Sequence, residues 1–229
     1  MKTYTPDELR TILANHLLWL KNEGGKQADL SNSILSGSYL SYSNLSNSDL
    51  SGSILRGSDL SNSDLSGSNL SNSDLRGSDL SNSILSGSDL RGSDLSNSDL
   101  SGSNLSKSIL SGSDLSGSIL SYSDLSGSIL SGSNLSYSDL SGSDLSGSDL
   151  SYSNLQQSKG YKFADCCWSH GECGRRLLGI IINDEIKFFC GCFSGNEKEL
   201  KAYISKGEAE FKTSRRKALN FVLSCLKES

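Results

Sequence analysis

Proline occurs once in the 229 residues, at Pro6, and methionine once, at Met1. No long apolar run exists, which excludes a membrane-spanning helix of about 18 residues or more. The opening Met1-Lys2-Thr3-Tyr4-Thr5-Pro6-Asp7-Glu8 lacks the basic-then-apolar order of a secretory leader. The expectation is a soluble, cytoplasmic protein. Cysteine is absent from the first 165 residues, and the six present all follow. Without a secretory leader they read as reduced thiols rather than disulfides. Basic side chains are scarce in the middle: residues 28–157 hold four, against 14 Asp, for a net charge of -10. Residues 1–27 carry +1 and residues 158–229 carry +4, which sums to the overall -5. An acidic middle excludes nucleic acid bound along the whole length, because phosphate contacts need a cationic track. That middle also holds no histidine, no glycine-rich phosphate loop and no carboxylate cleft. It does not read as an enzyme and implies no cofactor.

What is present is a repeat. Leu stands at every fifth position from Leu30 to Leu155, making 26 consecutive units. Two residues before each Leu is a small residue, Ala28 once and then Ser from Ser33 to Ser153. The residue just before Leu is Asp 14 times, Ile six times, Asn five times and Tyr once. Ser follows most Leu, and the next residue is mostly Gly or Asn. A period of five fits neither regular element. On an α-helix it advances by about 500° and makes no face. On a straight strand it flips successive Leu to opposite sides. A chain that turns a corner after each short extended segment escapes both problems. Four corners close a square coil of 20 residues, and coils stack at about 4.8 Å. Leu and the preceding small residue then point inward, and Gly and Asn take the corners, where positive φ is wanted. Ser/Gly-rich acidic composition is also that of flexible linkers. The strict register of Leu and the absence of proline argue against that alternative, and a nonapeptide calcium repeat lacks support because paired glycines at nine-residue spacing are missing.

Ala28-Asp29-Leu30-Ser31-Asn32 and Ser58-Asp59-Leu60-Ser61-Asn62 resemble the pentapeptide-repeat proteins, whose pattern is Ala-Asp/Asn-Leu-x-x. The resemblance covers residues 28–157. It implies an all-β-dominated fold, a right-handed quadrilateral β-helix with Leu inside. The departure is Ser where the family prefers Ala. Those inward hydroxyls each need a partner, and backbone carbonyls or a file of waters are both open.

With 20-residue coils, residues n and n+20 stack and the solenoid is about 30 Å long. Asp59, Asp79 and Asp99 form one acidic column, and Asp74, Asp94 and Asp114 another. Arg56 and Arg76 stack beside each other and offset part of the charge. Ile34 with Ile54, and Ile109 with Ile129, make apolar columns, while Tyr122, Tyr137 and Tyr152 line successive late coils. The family resemblance implies one use for an acidic rod: some members are understood to protect or inhibit DNA gyrase by mimicking DNA. The charge here is dilute for that, because duplex DNA of the same length carries roughly 18 charges.

Both ends of a solenoid expose an unpaired edge, so caps are expected. Residues 1–27 read as a helical cap: Thr5 as N-cap, Pro6 in the first turn, Glu8 closing a capping box, an apolar stripe of Leu9, Ile12, Leu13, Leu17 and Leu20, and Gly24-Gly25 as the stop. His16 lies on or near that stripe and reads as a packed side chain. The segment from Leu13 to Ala28 is similar to the leader of some phage and bacterial pentapeptide proteins. Residues 158–229 read as a small ββαα module. Strands over 176–182 and 185–193 are joined by Asn183-Asp184, and Ser194 with Glu197 caps a helix carrying Leu200, Tyr203 and Ile204. A last helix from about Thr213 presents Ala218, Phe221, Val222, Cys225 and Leu226. The stretch from Ile186 to Phe193, with Gly191-Cys192-Phe193, resembles a tail module of phage-related pentapeptide proteins.

The remaining candidates for chemistry sit in that module. Cys166, Cys167, His170, Cys173, Cys190 and Cys192 are the one group that suits zinc, though they do not form two Cys-x-x-Cys knuckles. A Cys166 or Cys167 nucleophile with His170 lacks an orienting acid and an oxyanion site. Arg215-Arg216-Lys217 begins a helix, where cations oppose the dipole, and so suits either nucleic acid or a solvated face. The sequence therefore points to a non-catalytic interaction scaffold in a phage or mobile-element setting that docks a protein partner on its faces. The alternative is an acidic DNA mimic of a topoisomerase or another host DNA-binding enzyme. Self-association is left open, and membrane and direct nucleic-acid partners are not expected.

Overall fold

The structure is a computed structural model. It describes all residues except 162, 168–175, 183–184, 191–192, 207–208 and 228–229, and the backbone alone at 163–167, 176, 182, 185, 190, 193–194, 209–214 and 227. Two compact units are present: 1–148 with 154–160, and 149–153 with 161–229.

The first unit is a stacked coil. Parallel bridges join residues before Leu to counterparts 20 residues on, in 22 pairs from Asp29 with Asp49 to Asp139 with Lys159. All 26 Leu of the repeat are buried. The corner of each repeat is a hydrogen-bonded turn. Ser53 N–H reaches Leu50 O at 3.2 Å, and Gly52 between them has φ +62°. That is the arrangement a type II turn needs. Gly and Asn fill most corners, but Tyr42, Lys107, Tyr122, Tyr137, Tyr152 and Gln157 also take positive φ. For such residues the left-handed conformation costs about 1 kcal/mol.

Every backbone N–H of a repeat can be accounted for, and the account explains the sequence. In the unit around Leu50, Leu50 N–H donates to Asn69 O, Gly52 N–H to Ser71 O, Ser53 N–H to Leu50 O, and Ile54 N–H to Ser33 O. The one left over, on Ser51, donates to Asp49 Oδ1 at 2.9 Å. The same side-chain bond occurs at all 19 repeats that carry Asp or Asn before Leu. Asp and Asn therefore serve the turn at these repeats, as side chains that mimic a backbone acceptor, while the turns after Ile and Tyr close without that bond. The inward serines find backbone carbonyls: Ser53 Oγ donates to Leu50 O at 2.6 Å, and most of its counterparts do the same. The hydroxyls of Ser48, Ser83 and Ser128 are buried without a partner.

Strand β1 (Lys2–Thr3) lies parallel on β2 (Ser33–Ile34) and covers part of the first coil's edge. Helix α1 (Pro6–Leu20) starts on a Thr5–Glu8 capping box. It buries Leu9 and His16, while Leu17, expected inside, is 42% exposed. The stripe turns by one residue because His16 has polar partners to meet. Its Nδ1 accepts from Ala28 N–H at 3.1 Å, and its Nε2 faces Ser46 O at 3.0 Å. Trp19 stacks on the ring at 5.5 Å. An Nδ1 acceptor and an Nε2 donor require the neutral ring, and burial pushes the imidazole pKa down, against a smaller upward pull from Ser46 O. Gly25 passes within contact of Asn15 O, where a Cβ would sit 2.2 Å away, so the stop after α1 demands glycine.

The second unit has more strands than expected. A meander of four antiparallel strands, β3 (Phe163–Cys167), β4 (Arg176–Ile182), β5 (Glu185–Cys190) and β6 (Phe193–Asn196), precedes α2 (Glu197–Lys206) and α3 (Ala209–Lys227). β3 was not expected, and the strand read over 185–193 is two strands, whose ends pair Cys190 with Phe193. The α2 cap is Asn196 with Glu199, not Ser194 with Glu197. Glu199 N–H donates to Asn196 Oδ1 at 3.0 Å and Asn196 N–H to Glu199 Oε2 at 2.8 Å, while Ser194 belongs to β6. The α3 core is Ala218, Leu219, Val222, Leu223 and Leu226 over Leu177 and Phe188. Phe221 and Cys225 are exposed, because the aliphatic stripe beginning at buried Arg215 turns them outward.

Candidate interaction surface

The 20-residue wrap sorts the outward side chains onto four faces. The first face carries Asp29, Asp49, Asn69, Asp89, Ile109 and Ile129 in bridged succession. The second carries Ile34, Ile54, Asp74, Asp94, Asp114, Asn134 and Asn154. The third carries Tyr39, Asp59, Asp79, Asp99, Ile119, Asp139 and Lys159, and the fourth Asn44, Asp64, Ile84, Asn104, Asp124 and Asp144. Asp59, Asp79 and Asp99 are thus neighbours, as are Asp74, Asp94 and Asp114, Ile34 and Ile54, and Ile109 and Ile129. Tyr122, Tyr137 and Tyr152 form no column. Steps of 15 residues are three quarters of a coil, so they lie at three different corners, each at positive φ.

The acidic faces differ electrostatically. On the second face Arg56 and Arg76 both pair with Asp74, and Arg76 reaches Asp94 at 3.4 Å. On the first, Arg91 pairs with Asp89 and holds its carboxyl below the usual carboxylate range. On the third face Asp59, Asp79 and Asp99 make no ion pair among the described residues. Asp59 is held low by the Ser61 hydroxyl and backbone N–H. The bonds from Ser61, Ser81 and Ser101 N–H reach Oδ1 in all three residues.

Isoleucine behaves differently. It cannot accept the N–H that Asp or Asn accepts, and Ile34, Ile84, Ile119 and Ile129 are 40–44% exposed. Tyr39 and Tyr42 are more exposed still, at 90% and 80%. Neither was singled out from the sequence. Wrapping Tyr39 onto the Asp59 face at a period of 20 is what finds it.

In the second unit, Cys166 and Cys167 lie in β3 and Cys190 ends β5, while His170, Cys173 and Cys192 fall outside the described residues. Among the described residues no cluster of His, Cys, Asp or Glu is arranged to hold a metal. Arg215 is buried, whereas Arg216 and Lys217 are exposed, so the three cations do not act as one patch. No described helix is long and apolar enough to cross a membrane.

Comparison with known proteins follows the repeat. Among solved structures, the chain is similar to the pentapeptide repeat protein Rfr23 from the cyanobacterium Cyanothece 51142, at 31% identity over 42% of this chain and 58% of that one, with a TM-score of 0.32. It is similar to HetL of Nostoc sp. strain PCC 7120, described as involved in heterocyst differentiation regulation, at 25% identity over 57% and 75% of the two chains, TM-score 0.27. It is also similar to QnrB1, a plasmid-mediated fluoroquinolone resistance protein, at 19% identity over 58% and 77%, TM-score 0.39. No curated protein matches. The profile described as pentapeptide repeats matches residues 26–57, 58–97, 98–136 and 128–159. With that match extending over more than half of its length, the chain belongs to the pentapeptide repeat family.

Proposed function

We propose that the solenoid is a non-catalytic docking scaffold that binds a protein partner through its outward side chains, in the phage-related setting that the leader and tail resemblances imply. The observation that supports this is the placement of isoleucine. Asp or Asn before Leu satisfies a backbone N–H at 19 repeats, and Ile at the same position gives up that bond without entering the core. Ile34, Ile84, Ile119 and Ile129 instead present apolar surface to solvent. A side chain that gives up a turn bond and still leaves two fifths of its surface in solvent is accounted for by contact with another molecule.

The test replaces Ile34, Ile54, Ile84, Ile109, Ile119 and Ile129 together by Asn. Each Asn regains the turn bond, so the solenoid stays folded. Affinity capture from a bacterial lysate is compared for wild type and variant at low and high salt, with the bound proteins identified. A partner that resists salt and is lost with the variant supports the scaffold. Equal capture by both proteins sinks it.

The second reading is an acidic DNA mimic, and it draws on the third face, where Asp59, Asp79 and Asp99 lack ion pairs among the described residues. It requires a DNA-binding enzyme that elutes with salt and no longer binds after Asp59→Asn, Asp79→Asn and Asp99→Asn.

A further inference from the structure

The third face differs from the other three in the order of its side chains. From Tyr39 to Ile119 it runs Tyr39, Asp59, Asp79, Asp99, Ile119 in bridged steps, three carboxylates without an ion pair among the described residues and an apolar side chain on either side of them, before the face continues to Asp139 and Lys159. Each end is widened by a tyrosine at the adjoining corner. Tyr42 follows Tyr39, and Tyr122 follows Ile119 at the same corner four coils further on. Exposure is 90% and 80% for Tyr39 and Tyr42, and 43% and 79% for Ile119 and Tyr122. Both corner tyrosines are held at φ +59°, in the region that most other corners reserve for Gly or Asn. A strained backbone that carries a solvent-facing aromatic ring is the kind of outlier that marks function. Arg56 and Arg76, at the edge shared with the second face, reach Asp74 on that neighbour rather than Asp59 or Asp79.

We propose that this face is the docking face, and that its partner is a cationic amphipathic α-helix with an apolar residue at each end of the cationic stripe. The proposal rests on the scaffold reading and names the partner's chemistry. Charge complementarity selects the cation, since the three carboxylates have no counter-ion among the described residues. Spacing selects the helix. Four coil steps from Tyr39 to Ile119 span about 19 Å, and a helix stripe at i, i+4, i+7, i+11 and i+14 spans about 21 Å with its members on one side. The three middle positions of that stripe fall opposite Asp59, Asp79 and Asp99, and the outer two opposite the apolar ends. An extended strand advances about 6.6 Å between residues on one side, too far to match consecutive coils.

The experiment uses the full chain and a fluorescent synthetic helix of about seventeen residues that carries leucine at the two outer stripe positions, lysine at the three inner ones, and alanine and glutamine elsewhere. A second peptide of the same composition has the stripe scrambled. Fluorescence anisotropy is read at low and high salt. Wild type is expected to bind the striped peptide about tenfold tighter than the scrambled one. Two variants should each lose about tenfold: the triple Asp59→Asn, Asp79→Asn, Asp99→Asn, which keeps the turn bonds, and the double Tyr42→Gly, Tyr122→Gly, which removes the strain and keeps the fold. The triple should also flatten the salt dependence. Ile109→Asn with Ile129→Asn, on the first face, should change nothing. Equal affinity for both peptides overturns the proposal, as does indifference to the third-face variants or loss through the first-face pair. A third face occupied by a second copy of the chain, seen as self-association that those variants abolish and the peptide does not displace, overturns it too. The scaffold reading survives any of these failures, because the six-isoleucine variant samples all four faces.

Discussion

The inward serines offer the sharpest check on the interior, because two sets of them should respond in opposite directions. In wild type, Ser53, Ser88 and Ser133 donate their hydroxyls to Leu50, Leu85 and Leu130 O at 2.6 Å. Ser48, Ser83 and Ser128 are equally buried and keep the turn bond from their own N–H, yet their hydroxyls have no partner. Alanine at the first set removes a bond worth about 0.5–1.5 kcal/mol net. The low end applies, because each Leu carbonyl still accepts the serine N–H. Alanine at the second set removes a desolvated, unpaired hydroxyl, a relief of about 1 kcal/mol or more per site. Ser48 and Ser128 stand four coils apart, about 19 Å, and Ser83 lies on a different side, so the effects should add. The triple Ser53→Ala, Ser88→Ala, Ser133→Ala is expected to lose about 2 kcal/mol, and the triple Ser48→Ala, Ser83→Ala, Ser128→Ala to gain about 3 kcal/mol. Urea unfolding followed by far-ultraviolet circular dichroism measures both, with the slope checked for constancy, since stacked repeats can unfold in parts. If the second triple is destabilised like the first, the hydrogen-bond account of the interior is wrong.

Three further outcomes follow from single sites. Leu90→Ala, in the middle of an unbroken leucine stack, should cost about 3 kcal/mol by leaving a cavity that its fixed neighbours cannot fill; a loss below about 1 kcal/mol in urea unfolding would show that the coils close around it. His16 is buried neutral with its pKa lowered, so the unfolded chain takes up the proton first. Its stabilising share is complete above the unfolded value of about 6.5 and declines as pH falls below it; thermal unfolding of His16→Leu should lose that part of the pH dependence, and identical slopes for both proteins would contradict the neutral-ring geometry. Gly179→Ala places a Cβ 2.5 Å from Val222 Cγ1 and should destabilise the second unit by about 1–3 kcal/mol, seen as faster hydrogen exchange along α3 with the solenoid amides unchanged.

The legible part of this protein was the part with a period. The five-residue recurrence of Leu, the small residue before it and the Gly or Asn two after it were enough to specify the coil of 20, the corners and the columns, because each depends only on local geometry repeated. The Thr5 capping box was readable for the same reason, being closed within four residues. Where no repeat averages out local ambiguity, the reading slipped. β3 was missed, and Cys190 and Phe193 were placed in one strand when they pair across two. Ser194 and Asn196 are both acceptable caps, and the extent of β6 chose between them. Phe221 looked like core by composition, but the stripe on α3 that fits the sheet passes through Leu219 and Leu223.

The sequence by itself determined that Leu would line an interior and pointed to residues 20 apart as neighbours, since neither a helix nor a straight strand buries every fifth residue and a chain with four corners per coil does. It did not reveal why Asp and Asn stand before Leu. Read as charge they suggested a polyanion; the backbone account shows them closing, at the 19 repeats that carry them, the one N–H that neither the neighbouring coils nor the turn itself reaches. Only the folded coil could show that, because the need exists once the other four N–H groups are taken. The tertiary structure also decided which carboxylates remain free of ion pairs. Arg56, Arg76 and Arg91 each sit at a corner between two faces, two residues from one and three from the next, and the direction of their side chains leaves Asp59, Asp79 and Asp99 without an ion pair among the described residues.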